Sequence, residues 1–334
     1  MTMNKTSFLI CSILFTLMPS FQVFSAELDK ATSARLATLS KQLNVSLEDL
    51  KNAVEEATYE QKVIDSITKP WEAKPWYKYR TIFLTEERAK AGAQFMKDNL
   101  PVFIKAEKAY GVDREIIAAI LGVETYFGTK MGAYKIIDSL YTLGFHYPKR
   151  AEFFSKEFAN YVKLAKEQEW ELTEHLGSYA GAMGMGQFMP SSYIHYAVDF
   201  NGDGKKDLFG SREDAIGSIA NYFQKSKWKF HQPVAYEVTV AKPAGIASLK
   251  NKKNTLDTTW GALRKNGVKL VDESIRITDD QKVKLLALDA DEDSKQYFVV
   301  FNNFISITRY NTSPLYAMAV YDLSRAIADE FSNL

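Results

Sequence analysis

In the stretch Asp113-Arg-Glu-Ile-Ile-Ala-Ala-Ile-Leu-Gly-Val-Glu-Thr-Tyr-Phe-Gly128, Ile116, Ile117 and Ile120 precede Glu124 by eight, seven and four residues. At 3.6 residues per turn all four share one helix face, so a carboxylic acid sits on the apolar stripe. Asp113 is a good N-cap and Gly128 is placed to end the helix. Burial disfavours a carboxylate, and the negative end of the helix dipole acts in the same direction, so the pKa of Glu124 should rise. A general acid working near neutrality needs that environment. Taken alone, the stretch also admits a structural glutamate held by an arginine or by buried amides.

Outward from this helix the pattern stays helical. Leu36, Leu39, Leu43, Leu47, Leu50 and Val54 recur at three- and four-residue spacing within 28–68, with Ser46 as a cap. Helical periodicity also covers Glu86 to Tyr110, Ala151 to Glu169 and Asp214 to Lys225, and a last helix opens with Ser313 as cap and Pro314 at its first position. Between them, Pro70-Trp71 and Pro75-Trp76, followed by Tyr77 and Tyr79, read as an extended aromatic segment. Val234, Tyr236, Val238 and Val240 alternate, as do Ile275 and Ile277, and Tyr297 to Ile307 is rich in β-branched and aromatic residues, so 232–308 reads as a small β-rich unit. The fold class is mainly α (α+β).

The 334 residues contain 46% apolar and 25% charged residues, the balance of an ordinary globular chain. Lys plus Arg is 42 against 41 Asp plus Glu, so no basic excess is present to neutralise a nucleic-acid backbone, which argues against that partner. Lys5 followed by the apolar run Phe8 to Met18, Pro19 and Val23-Phe24-Ser25-Ala26 has the layout of a secretory signal peptide over 1–26. The run is too short to cross a bilayer, which takes about 20 residues. An exported, soluble protein is expected, and its single cysteine, Cys11, leaves with the signal. Disulfides and zinc sites are therefore not expected, nor do His146, His175, His195 and His231 show metal-ligand spacing.

Two further segments stand out. Gly177-Ser-Tyr-Ala-Gly-Ala-Met-Gly-Met-Gly-Gln-Phe-Met-Pro-Ser-Ser-Tyr193 has the small residues that let backbones approach closely, without the spacing or lysine of a phosphate loop. A tight turn is its plainer reading. Asp199-Phe-Asn-Gly-Asp-Gly-Lys-Lys-Asp207 places Asp199, Asn201 and Asp203 at positions one, three and five of an EF-hand-type loop, with Gly204 at the turn and the Lys205 carbonyl available. Position twelve is Gly210, so a last carboxylate must come from elsewhere, with Asp214 the choice; an Asx-Gly turn without metal is the alternative.

Together these segments resemble the lytic murein transglycosylase B family. The resemblance rests on Gly122-Val-Glu-Thr-Tyr-Phe-Gly128, His146-Tyr-Pro-Lys-Arg-Ala-Glu-Phe-Phe154, Gly181 to Tyr193, Ala197-Val-Asp-Phe-Asn-Gly-Asp-Gly204, Asp214 to Phe223 and Ile307-Thr-Arg-Tyr-Asn311, in family order from about residue 70. It implies a lysozyme-like helical core and cleavage of the β-1,4 bond between N-acetylmuramic acid and N-acetylglucosamine in peptidoglycan, leaving 1,6-anhydro ends. Glu124 then matches the single acid/base. Ser178, Gln187, Phe188, Arg150, Tyr310, Asn311, Tyr316 and Tyr79 match residues lining the cleft, and Asp199, Asn201, Asp203, Lys205 and Asp214 match a metal loop. Lys149 stands where the family often has arginine.

No cofactor is expected for the chemistry, beyond a structural Ca2+ or Na+ in the loop. The expected organisation is a helical portion over 27–110, a catalytic core over 111–231 with the loop 199–214, the β-rich unit, and a C-terminal helix over 309–334 returning to the core. Glycan strands are the expected partner, with other cell-wall enzymes beside them, a monomeric chain and a periplasmic location. Two other functions stay open: a lysozyme-type hydrolase using Asp138, Glu152 or Asp199 as a second carboxylate, and a peptidoglycan-binding protein without catalysis.

Overall fold

A computed structural model describes residues 29–69 and 74–334. The expected signal peptide and the first Pro-Trp step lie outside the described residues. Helices Lys30–Leu43, Leu47–Glu56 and Gln61–Ile67 open the fold, and Ser46 caps the second by accepting from Asp49 N at 3.3 Å. They are clasped to the body by polar contacts. Arg35 Nη1 donates to the Gly144 carbonyl at 2.6 Å, and Thr58 N donates to the buried Asp138 carboxylate at 2.8 Å.

Several local expectations are corrected. Trp76–Phe83 is a helix rather than an extended segment, because Trp76 and Tyr79, three residues apart, are both buried (1% and 4% exposed) on one face. The periodicity over 86–110 is two helices, Glu86–Asp98 and Leu100–Tyr110, split where Pro101 lacks an N–H and Asn99 Nδ2 turns back to the Phe95 carbonyl. Ile275 and Ile277 lie in no strand, and the stretch read as β through Ile307 is helical from Asn302 to Tyr310. There Phe304, Ile307 and Thr308 bury one helical face, so packing overrides β propensity.

Helix Arg114–Thr125 carries the acid and is buried along Ile116, Ile117, Ile120 and Leu121. Asp113 precedes it but makes no side-chain cap. Its carboxylate instead accepts from Trp228 Nε1 and meets His231 Nδ1, both at 2.8 Å. Nor does the helix run to Gly128. It stops at Thr125, and Tyr126, Phe127 and Gly128 follow with φ of 50°, 59° and 86°. Helix Pro314–Phe331, capped by Ser313 as expected, packs along both the acid helix and Glu86–Asp98. Helices Ile136–His146, Ala151–Gln168, Pro190–Tyr196 and Arg212–Lys225 complete this large core.

Strands β1 (Tyr134–Lys135) and β2 (Leu176–Gly177) form a small antiparallel pair. β3 (Ala235–Val240), β4 (Thr258–Thr259), β5 (Val268–Leu270), β6 (Lys282–Asp289) and β7 (Lys295–Val300) form an antiparallel sheet in the order β4-β6-β7-β3-β5. Val238, Trp260, Leu263, Val268, Val283, Leu285 and Val299 give this unit its own apolar core. Its two ends meet, with Phe301 N donating to the Val234 carbonyl at 3.0 Å.

Candidate active site

Glu124 is half-buried near the end of its helix, where Oε1 accepts from the Tyr316 hydroxyl at 2.5 Å. Loss of water raises its pKa from 4.5 to about 7, and the bond from Tyr316 is the opposing influence. No other carboxylate perturbs it among the described residues. Tyr316 (3% exposed) and Tyr310 both have phenols held far above their ordinary pKa, first by burial and then by the charge of Glu124, so both stay neutral hydrogen-bond donors. Tyr79 bears electrostatically on Tyr316 from helix Trp76–Phe83. Two tyrosines from two helices thus face the acid, with Tyr79 behind Tyr316.

The Gly-rich segment forms the adjoining wall. Met183 bridges to Gly177 and to Phe188, which fold the segment into a tight double turn. Gly184, at φ 67°, lies so close to the 199–214 loop that a Cβ would stand 2.5 Å from the Leu208 carbonyl oxygen. Tyr310 ties in by donating to the Gly186 carbonyl at 2.5 Å, and Phe188 packs against Tyr310 with ring centroids 5.8 Å apart. The N–H and hydroxyl of Ser191 both donate to the buried Glu157 carboxylate.

The sequence-derived site residues are therefore placed unequally. Glu124, Tyr316, Tyr310, Phe188 and Tyr79 come together. Ser178 Oγ accepts from Ala180 N and Ala182 N of its own turn, and Gln187 Nε2 donates to the Met131 and Gly184 carbonyls. Asn311 Oδ1 accepts from Ser313 N at 3.0 Å, and exposed Arg150 lies over the rings of Phe153 and Phe154 at 4.4 and 4.9 Å. Among the carboxylates considered for a hydrolase, Asp138 is engaged by Thr58 N, exposed Glu152 pairs with Lys156 at 2.8 Å, and Asp199 belongs to the loop. Sequence reasoning missed Thr125 and Tyr222. Both lay inside quoted stretches, Thr125 in the acid motif and Tyr222 in Asp214 to Phe223, without a signal of their own; the Tyr222 hydroxyl donates to the Arg309 carbonyl at 2.5 Å and its ring meets Tyr310 at 4.7 Å.

In the 199–214 loop, Asp199 accepts from Gly202 N and Gly204 N, and Asp203 accepts from Asn201 Nδ2 and Lys205 N. The hydrogen bond from Lys205 N holds the Asp203 carboxyl below its ordinary pKa. Asp214 is fully buried and staples the loop, accepting from Phe200 N at 2.7 Å and Asp207 N at 2.8 Å. Among the described residues, no three His, Cys, Asp or Glu side chains gather as a metal cluster. The oxygen donors of Asp199, Asn201 and Asp203, with Gly204 at φ 91°, do suit a hard cation.

Residues 29–325 match the family described as the transglycosylase SLT domain. The chain is 40% identical over 253 residues to the membrane-bound lytic murein transglycosylase B of Escherichia coli, covering 76% of this chain and 67% of that protein. It superposes on the catenated lytic transglycosylase SltB1 of Pseudomonas aeruginosa with a TM-score of 0.82 at 38% identity, covering 90% and 98% of the two chains. The E. coli lytic transglycosylase Slt35 in complex with calcium gives 0.79 at 34% identity, covering 91% and 94%. P. aeruginosa SltB3 in complex with NAG-anhNAM-pentapeptide gives 0.76 at 28% identity, covering 89% and 79%.

Proposed function

The chain belongs to the transglycosylase SLT domain family and is a lytic transglycosylase of peptidoglycan, and from that premise we propose how its residues perform the reaction. The supporting observation is Glu124: a carboxylic acid at about pKa 7, bonded by Tyr316 and uncoupled from any second carboxylate among the described residues. Protonated Glu124 gives its proton to the glycosidic oxygen, which leaves as the 4-hydroxyl of N-acetylglucosamine. The N-acetyl oxygen of the muramic sugar stabilises the positive charge at its anomeric carbon. Ionised Glu124 then takes the proton of that sugar's 6-hydroxyl as the oxygen bonds to the anomeric carbon. No water is added, and the attacking group is already held in the site, which gives it an entropic advantage over solvent.

Tyr316 has a role in both steps. Its hydroxyl stabilises the carboxylate formed midway, and it fixes the orientation of Glu124 Oε1. Tyr310, Phe188 and Tyr79 shape the wall against which sugar rings rest, with Arg150, Ser178, Gln187 and Asn311 at the cleft margins. The anhydro-sugar complex of SltB3 supports a 1,6-anhydro product here. A digest of purified peptidoglycan by wild type and Glu124→Gln, read by mass spectrometry, tests the assignment. Anhydro-muropeptides from wild type alone are expected; products heavier by one water, or an active Glu124→Gln, would sink it.

We assign the loop to Ca2+, which the side chains of Asp199, Asn201 and Asp203 and the Lys205 carbonyl would hold, with Asp214 bracing the loop through Phe200 N and Asp207 N. The calcium complex of Slt35 supports this. Bound there, the ion supplies charge neutralisation and loop rigidity, outside the proton transfers. Export by cleavage of a signal at 1–26 and a periplasmic site of action complete the reading. Among the described residues no helix is long and apolar enough to cross a membrane.

A further inference from the structure

Thr125 follows the acid directly and is 1% exposed. A threonine inside a helix commonly donates to the carbonyl four residues back. Here that partner, Leu121, lies at 3.4 Å, while the Met185 carbonyl of the Gly-rich segment lies at 2.8 Å. The same hydroxyl accepts from Gly128 N at 2.9 Å, closing the left-handed turn Tyr126-Phe127-Gly128. Met185 N donates onward to the Leu208 carbonyl at 2.8 Å, within the cation-type loop. One buried hydroxyl therefore joins the end of the acid helix, the strained turn after it and the Gly-rich wall.

We propose that Thr125 is a positioning residue for the reaction, its hydroxyl locking the Gly-rich segment against the last turn of the acid helix so that Glu124 is held dry and in register with Tyr316. This rests on Glu124 being the acid/base. Two non-glycine residues at positive φ follow the acid, and such backbone persists only where its surroundings hold it. Valine has the shape of threonine but would leave the Met185 carbonyl and the Gly128 N–H unpaired in a buried place, and water would follow. Water beside Glu124 lowers its pKa from about 7. The titratable groups facing it, Tyr310 and Tyr316, are neutral on either side of that range.

The experiment is peptidoglycan turnover against pH for wild type, Thr125→Val and Thr125→Ser, with melting curves alongside. Thr125→Val should lose on the order of 100-fold in kcat, the scale of a roughly 1 Å misplacement, with KM little changed and the alkaline limb of its profile moved to lower pH. Thr125→Ser, which keeps the hydroxyl, should recover most of that loss. Should Thr125→Val fail to fold, Thr125→Ala carries the same comparison. Equal kcat in the valine and serine variants, or a loss in Thr125→Val with the limb in place, overturns the inference. A wild type with no limb near neutrality, or an active Glu124→Gln, overturns the acid assignment and the inference with it.

Discussion

Glu124 should make the enzyme less stable as pH rises, and Glu124→Gln should relieve this. In the folded chain the carboxyl titrates near 7, against 4.5 for an ordinary glutamate, chiefly through loss of water. Below about pH 4.5 the side chain is protonated in folded and unfolded chains alike, and no difference arises. Between 4.5 and 7 the folded chain holds a proton the unfolded chain has released, so wild-type stability falls as pH climbs and levels off above 7. The shift amounts to about 3 kcal/mol at ~1.4 kcal/mol per pH unit. Glutamine has the same shape, keeps an oxygen for the Tyr316 hydroxyl and carries no charge. Urea unfolding of wild type and Glu124→Gln from pH 4 to 8.5 should therefore show near-equal stability at the acid end. The variant should be more stable by about 2–3 kcal/mol at pH 8. A difference independent of pH, or a wild type more stable at pH 8, would refute the reasoning that burial holds the acid protonated.

Because the protonated acid begins the reaction, kcat/KM on peptidoglycan should fall above about pH 7, and Tyr316→Phe should move that limb upward by on the order of one unit, since the lost bond favours the carboxylate; a pH-rate series checks both. Gly184→Ala should destabilise by about 2–3 kcal/mol, through its φ of 67° and the Leu208 carbonyl 2.5 Å from the new methyl, as read from the urea midpoint. Added Ca2+ should raise the melting temperature of wild type, by the equivalent of about 2.7 kcal/mol at 100-fold over Kd, and should do so far less in Asp199→Ala; equal shifts would remove the cation from the loop.

The acid on the apolar stripe was legible because helical periodicity is a local property: three isoleucines and Glu124 share a face whatever surrounds them. Ser313 before Pro314 was legible for the same reason, as a signal confined to one turn. The identity of Glu124's partner was not visible locally, since Tyr316 lies 192 residues away and only family resemblance placed it in the cleft. Asp113 shows the opposite failure. Its cap chemistry was sound, but Trp228 and His231, brought in from far along the chain, offered its carboxylate other partners. Trp76–Phe83 and Asn302–Tyr310 were misread because aromatic and β-branched residues report a wish to be buried more strongly than the shape of backbone that buries them. Ser178, Gln187 and Asn311 were expected, from the resemblance alone, to line the cleft; their side chains hydrogen-bond backbone groups, Ser178 and Asn311 close by in the chain and Gln187 also at the Met131 carbonyl.

The hydrogen bond from Phe301 N to the Val234 carbonyl has a consequence for engineering. Chain leaves the helical body and returns to it through a single doorway, and what lies beyond has an apolar core of its own. The cost of closing such a loop grows only slowly with its length. Insertions in the outer turns of this cassette should therefore cost little while the doorway stays shut, whereas exchange of the whole module must also replace its contacts to the body, among them the Tyr321 hydroxyl to the Ala235 carbonyl at 3.0 Å and the Asn254 side chain to the Thr312 carbonyl at 2.8 Å.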